Sequence, residues 1–335
     1  MKHFLSLSMR MGWEKKKYIR KDKGSNMMMY VWLIVGFILL IKGADFFVEG
    51  SSSVAKLLRI PSVIIGLTIV AFGTSAPEAA VSITAALAKK NEIAIGNVIG
   101  SNIFNLLMVL GCCSLILPLT IDKKILFKDY PFSLVITGVL LAAILFDLKI
   151  GRLDGFILFV LFGYFLVRTV QQALSNRTKA EEEDIKVLSP FLSGVYILGG
   201  LVAIVIGGDL VVDSASEIAA AFGLSQTLIG LTIVAMGTSL PELVTSMVAA
   251  KKGENGLALG NVVGSNIFNI LLILSVSSMI TPIPVQAESI IDLIVLLATS
   301  AVCWIFCKSK YTINRIEGGS MVLMYAGYMA YIIAR

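Results

Sequence analysis

The chain has 335 residues, 57% hydrophobic and 15% charged, with a formal net charge of +6. A soluble domain is about a quarter charged, so this composition excludes a soluble enzyme and describes an integral membrane protein. The apolar runs are long and do not alternate with polar residues, which excludes an outer-membrane barrel and leaves an all-α membrane fold. The positive charge lies in the loops and the N-terminal tail, where it reports topology rather than nucleic-acid binding.

Residues 1–26 form a basic tail (Lys15, Lys16, Lys17, Arg20, Lys21, Lys23). It lacks the apolar core and small-residue cleavage site of a signal peptide. His3, in this tail, is the only histidine, so chemistry that needs an imidazole inside the membrane is excluded. A first repeat, 27–172, holds apolar runs at 28–48, 62–88, 93–117, 132–146 and 153–170. A polar linker, 173–190, follows; Glu181, Glu182, Glu183 and Asp184 make it too charged to enter the membrane. The second repeat, 191–335, holds runs at 191–212, 228–250, 257–280, 289–307 and 316–333. About ten membrane helices are therefore expected. Cys112, Cys113, Cys303 and Cys307 lie in apolar runs and read as small packing residues.

The loops after the odd-numbered spans carry 14 Lys and Arg residues, and those on the other side carry 5 outside the tail. That asymmetry puts the linker in the cytoplasm and both termini outside. The basic tail is the one feature that disagrees.

The sequence repeats itself. GLTIVAFGTSAPE at 66–78 returns as GLTIVAMGTSLPE at 230–242, and GNVIGSNIFN at 96–105 as GNVVGSNIFN at 260–269, always 164 residues later. Five spans separate the copies. Five is odd, so the halves cross the membrane in opposite senses, which predicts two inverted five-helix repeats.

Pro77 and Pro241 sit mid-span and have no N–H for the carbonyls of Gly73 and Gly237. Each span is expected to break into two half-helices there. The carbonyls of Ala71 and Ala235 lie close enough to be freed as well. Around the breaks stand Thr74, Ser75 and Glu78, and Thr238, Ser239 and Glu242. In the next span of each half Asn97, Ser101 and Asn105, and Asn261, Ser265 and Asn269, recur every four residues as one polar stripe. Gly96, Gly100, Gly260 and Gly264 let helices approach closely. Simpler roles exist: Ser75-x-x-Glu78 is also a capping box, and the stripe is also interhelical glue. But a carboxylate at the bilayer centre costs on the order of 3 kcal/mol, and no Lys or Arg lies in these spans to neutralise it. A helix cap does not need that cost twice at matching depth; a cation site does. The donors are all oxygens, which selects hard cations such as Ca²⁺ and Na⁺. Two carboxylates balance one divalent or two monovalent ions, so competition at one midplane site predicts exchange rather than cotransport.

These segments resemble the α-repeats of the cation/calcium exchanger superfamily, in its prokaryotic-type Na⁺/Ca²⁺ exchanger branch. GTSAPE, GTSLPE and both copies of GSNIFN carry the resemblance, which extends over nearly all of the chain after the tail. It implies a secondary antiporter working by alternating access, with Glu78 and Glu242 as central ligands. Thr74, Ser75, Ser101, Thr238, Ser239 and Ser265, with the carbonyls of Ala71 and Ala235, would complete the Na⁺ and Ca²⁺ sites. Asn105 and Asn269 match the remaining polar positions. Some relatives, including potassium-dependent exchangers, carry Asp where Asn269 stands, which argues against K⁺ cotransport. The proton/calcium branch has Gly-Asn before its acidic residue where this chain has Gly-Thr-Ser. A proton- or other divalent-cation antiporter is the alternative reading, and a sodium-coupled solute symporter a weaker one. A hydrolase built on Ser75 or Ser239 would lack a base. No cofactor is expected; the partners are the two ions and the lipid bilayer, and the protein is expected to be a monomer.

Overall fold

Apolar stretches become helices along nearly the whole chain in a computed structural model, which describes residues 23–175, 187–224 and 229–334. Most of the basic tail, and the acidic run of the linker, lie outside the described residues. Helix α1 spans Lys23–Leu58. A bent pair follows, α2 (Ser62–Thr74) and α3 (Ala76–Leu87), meeting at 48°. Then come α4 (Asn91–Ile116), α5 (Ile125–Asp147) and α6 (Arg152–Ser175). The second half gives α7 (Pro190–Ala221), α8 (230–237), α9 (Leu240–Lys251), α10 (Asn255–Ile280), α11 (Ala287–Lys310) and α12 (Arg315–Ala334). Among the described residues 7 helices are long and apolar enough to cross a membrane, or 8 with the bent pair.

Both α1 and α7 run well past their expected ends at 48 and 212. Hydropathy registers only the part that crosses lipid, and each helix continues through polar residues such as Ser51–Ser53 and Ser214–Glu217. The two helices touch backbone to backbone. A Cβ added to Gly43 would lie 2.9 Å from the carbonyl oxygen of Gly200, and one on Gly207 would lie 2.8 Å from that of Gly36. Gly36 and Gly43, like Gly200 and Gly207, are seven apart, the spacing of a helix–helix seam. Gly199 and Gly208, equally glycine-rich in sequence, have nothing within 4 Å and lie off this seam.

At the centre stand α4 and α10. The most apolar window of α10 is 94% buried and that of α4 72%, against 33% or less for the outer helices. Short antiparallel strands tie the loops together: β1 (Leu119–Thr120) pairs with β4 (Thr312–Ile313), and β2 (Lys149–Ile150) with β3 (Ile283–Pro284). In each pair one strand comes from either half. Arg152 Nη2 reaches the carbonyl of Ile280 at 3.5 Å, and its counterpart Arg315 Nη2 reaches that of Ile116 at 3.4 Å. Each of these contacts joins a residue of one half to a residue of the other.

The candidate ion site

The predicted breaks occur. α2 ends and α3 begins around Ser75 (φ −82°, ψ 6°); α9 begins after Ser239 (φ −93°, ψ 6°). Pro77 and Pro241 fall in the first turns of α3 and α9, where a missing N–H costs nothing. Both segments before the breaks contain a π turn, at Gly66–Val70 and Gly230–Val234. Two more π turns open at Asn105 and Asn269, inside α4 and α10. Such turns widen the helix locally and occur often at functional sites.

The breaks bring the two acidic segments face to face. Ser75 Oγ donates to Glu242 Oε1 at 2.9 Å, and Ser239 Oγ donates to Glu78 Oε1 at 2.8 Å. Neither serine caps its own helix, so the capping-box role fails: each hydroxyl serves the carboxylate of the opposite half. Ser101 Oγ lies 3.4 Å from Glu78 Oε1. Glu78, Glu242, Thr74, Ser75, Ser239, Ser101, Ser265, Asn105 and Asn269 are all buried. Ion pairs lie elsewhere, among them Lys42–Asp45, Lys149–Asp147, Arg168–Asp129 and Lys252 with Asp45 and Glu49. The two carboxylates therefore share a buried site with hydroxyls and carboxamides, and neither has an ion-pair partner among the described residues. No group of three or more His, Cys, Asp or Glu placed to hold a metal ion occurs among the described residues. A cation held here would take its remaining ligands from neutral oxygens.

One expectation needs correction. The carbonyl of Ala71 is not freed by the break, because Ser75 N donates to it at 3.0 Å. The proline removes an N–H two residues further on, which leaves that bond intact. In the second half the equivalent amide, Ser239 N, goes to Met236 O at 3.2 Å instead of to Ala235.

That difference belongs to a larger one. Half-helix α2 is docked on α10: a Cβ on Gly66 would lie 2.6 Å from Leu257 O, and one on Gly264 2.8 Å from Ala71 Cβ. Thr74 Oγ1 lies 3.0 Å from Asn261 Oδ1. The matching half-helix α8 approaches α4 at its last residues, 235–237, without the close glycine packing seen between α2 and α10. Among the described residues, Gly96 and Gly100 have nothing within 4 Å and the Thr238 hydroxyl has no partner, and Ala235 is exposed where Ala71 is buried.

Two pairs of residues join the site without having been expected in it. Asn97 Nδ2 donates to Ser82 Oγ at 3.0 Å and Asn261 Nδ2 to Ser246 Oγ at 2.9 Å. The signal was present, since each serine stands one helical turn after its glutamate. Asn102 and Asn266 are buried between α4 and α10, each donating to the other's main-chain carbonyl at 3.3 Å. They fall one residue off the four-residue stripe, so periodicity assigned them to another face.

Known proteins match this chain along most of its length. Residues 28–171 and 192–334 match the family described as sodium/calcium exchanger protein. The chain is 39% identical over 310 residues to the putative antiporter CaxA of Alkalimonas amylolytica, covering 89% of this chain and 96% of that protein. It is 32% identical to the sodium/calcium exchanger MaX1 of Methanosarcina acetivorans, covering 90% of this chain and 97% of that protein. Among solved structures, the sodium-calcium exchanger NCX_Mj soaked with zero Na⁺ and Ca²⁺ superposes with a TM-score of 0.80. Its sequence identity is 35%, and the match covers 91% of this chain and 99% of that one.

Proposed function

The chain belongs to the sodium/calcium exchanger family, and we propose that it is a secondary antiporter exchanging Na⁺ for Ca²⁺ at the site between Glu78 and Glu242. One observation carries the assignment of the site. Of the 13 buried side-chain oxygens without a partner among the described residues, 6 belong to the expected ligand set: Glu78 Oε2, Glu242 Oε2, Thr238 Oγ1, Ser265 Oγ, Asn105 Oδ1 and Asn269 Oδ1. Leaving a buried polar atom unmet costs about 1–3 kcal/mol, more for a charged one. A Ca²⁺ ion takes about 6–8 oxygens in flexible geometry, and this donor set fits it. Two carboxylates supply charge for one Ca²⁺ or two Na⁺, so the ions compete and are exchanged.

The decisive experiment is uptake of radiolabelled Ca²⁺ into vesicles driven by an imposed Na⁺ gradient. Wild-type protein takes up Ca²⁺. Glu78→Gln and Glu242→Gln each abolish uptake while eluting as folded protein, because each removes half of the site's charge. Near wild-type exchange by either variant would sink the shared site, and uptake that follows a proton gradient alone would favour a proton/calcium antiporter.

The loop contacts support ten crossings. In the ten-span reading α8 with α9 is the seventh span and α12 the tenth. The end of α1 then contacts the loops after the fifth and seventh spans, through Ser53–Leu188 and Ser52–Glu254. Asn91, after the second span, reaches the carbonyls of Thr281 and Pro282, after the eighth. The strand pairs join third-span to ninth-span loops and fourth-span to eighth-span loops. Each contact joins loops of the same parity, as a ten-span inverted repeat requires. The loop charges then favour a cytoplasmic linker and external termini. Helices α1 and α7, packed on each other outside the ligand-bearing segments, are the candidates for the bundle that moves during alternating access.

A further inference from the structure

Four carboxamides form a closed set between α4 and α10. Asn105 Nδ2 donates to Asn266 Oδ1 at 3.1 Å, and Asn269 Nδ2 to Asn102 Oδ1 at 2.9 Å. Asn102 Nδ2 and Asn266 Nδ2 each donate to the other's main-chain carbonyl at 3.3 Å. All four residues are at most 2% exposed. The amide ends of such residues follow from the hydrogen-bond network, and here the network has a fixed origin. A main-chain carbonyl can only accept, so Asn102 must turn its Nδ2 toward Asn266 O. Its Oδ1 is then left to face a donor, and Asn269 Nδ2 is that donor. Asn269 Oδ1 is thereby turned away from α4's amide, and it is one of the buried oxygens without a protein partner. The same chain of constraints runs from Asn102 O through Asn266 to Asn105 Oδ1, also unpartnered.

We infer that Asn102 and Asn266 are positioning residues for the exchanged ions, each pinning the carboxamide of the opposite half so that it offers oxygen and not N–H to the site. A carboxamide end that flipped would present hydrogens to a cation and repel it. Asn102 and Asn266 touch no ion themselves; they act through Asn269 and Asn105. This rests on the exchanger reading above.

The test is a double-mutant cycle read by Na⁺-driven Ca²⁺ uptake in vesicles. Asn102→Ala raises KM for Ca²⁺ about tenfold, the usual scale for loss of an outer partner of a metal ligand, with a maximal rate near wild type. In an Asn269→Ala background the same change adds less than about twofold, because the group it orients is gone. Combined with Asn105→Ala, which lies on the other chain of constraints, the effect stays additive. The mirror arm, Asn266→Ala with Asn105→Ala, behaves alike. If Asn102→Ala does not fold, Asn102→Ser serves in the same cycle, its side chain being too short to keep the contact. Full additivity with Asn269→Ala would overturn the positioning role and leave the exchanger reading intact. A wild-type protein that takes up no Ca²⁺ on a Na⁺ gradient would overturn that reading, and this one with it.

Discussion

A carboxylate held away from water keeps its charge only where donors and cations surround it. Glu78 and Glu242 each take a hydroxyl donor from the other half, at 2.8 and 2.9 Å. A hydrogen bond to a charged group contributes about 1.5–3 kcal/mol, so Ser75→Ala and Ser239→Ala should each weaken Ca²⁺ affinity by roughly tenfold or more. Isothermal titration in detergent measures this. Wild-type affinity in both variants would mean that the serines only fill space. The glutamates, serines and stripe asparagines were legible in the sequence because polar residues stand out against apolar text and appear twice. Their pairing was not legible. The partner of Ser75 lies 167 residues away, and the local alternative, a cap on its own helix, satisfies the same sequence pattern. Asn102 was hidden for a related reason: its role depends on a neighbouring helix, and helical period describes only the helix it sits on.

Among the elements, the proline breaks follow from backbone chemistry visible in the sequence. The π turns do not, since a single extra residue in a helical turn leaves no mark in composition. Which glycines matter is also decided by packing. A methyl group on Gly43 or Gly200 would press on the backbone of the facing helix, at 2.9 Å and 2.7 Å from a carbonyl oxygen. Overpacking of that kind costs about 1–3 kcal/mol. Gly43→Ala and Gly200→Ala should therefore lower the melting temperature in detergent. Gly199→Ala, next to Gly200 but with nothing within 4 Å, should leave it unchanged or raise it slightly, since alanine favours helix over glycine. Equal melting of Gly199→Ala and Gly200→Ala would contradict the seam.

In the whole molecule the two halves carry almost the same text in different arrangements. GNVIG and GNVVG differ in one methylene, yet Gly260 and Gly264 are covered by α2 while Gly96 and Gly100 have nothing within 4 Å among the described residues. The helical membrane fold and the internal repeat could be read from the chain, but which half is docked could not, because near-identical sequences pose near-identical local energetics. Only the arrangement of the rest of the molecule breaks the tie. The docked half shows what closure looks like: a glycine face filled by a half-helix, and a threonine hydroxyl 3.0 Å from an asparagine. The other half lacks that close packing among the described residues: Gly96 is exposed, and Asn97 Nδ2 reaches the main-chain carbonyl of Glu78 at 3.3 Å. Asn97 is half-buried and Asn261 fully buried. In a background without the four native cysteines, Asn97→Cys should react with a water-soluble thiol reagent added on the face opposite the linker. Asn261→Cys should not react from either face while no ion is present. Equal labelling of both positions would show that the halves interconvert faster than the reagent reacts. Labelling of Asn97→Cys only from the linker face would reverse the orientation drawn from the loop charges.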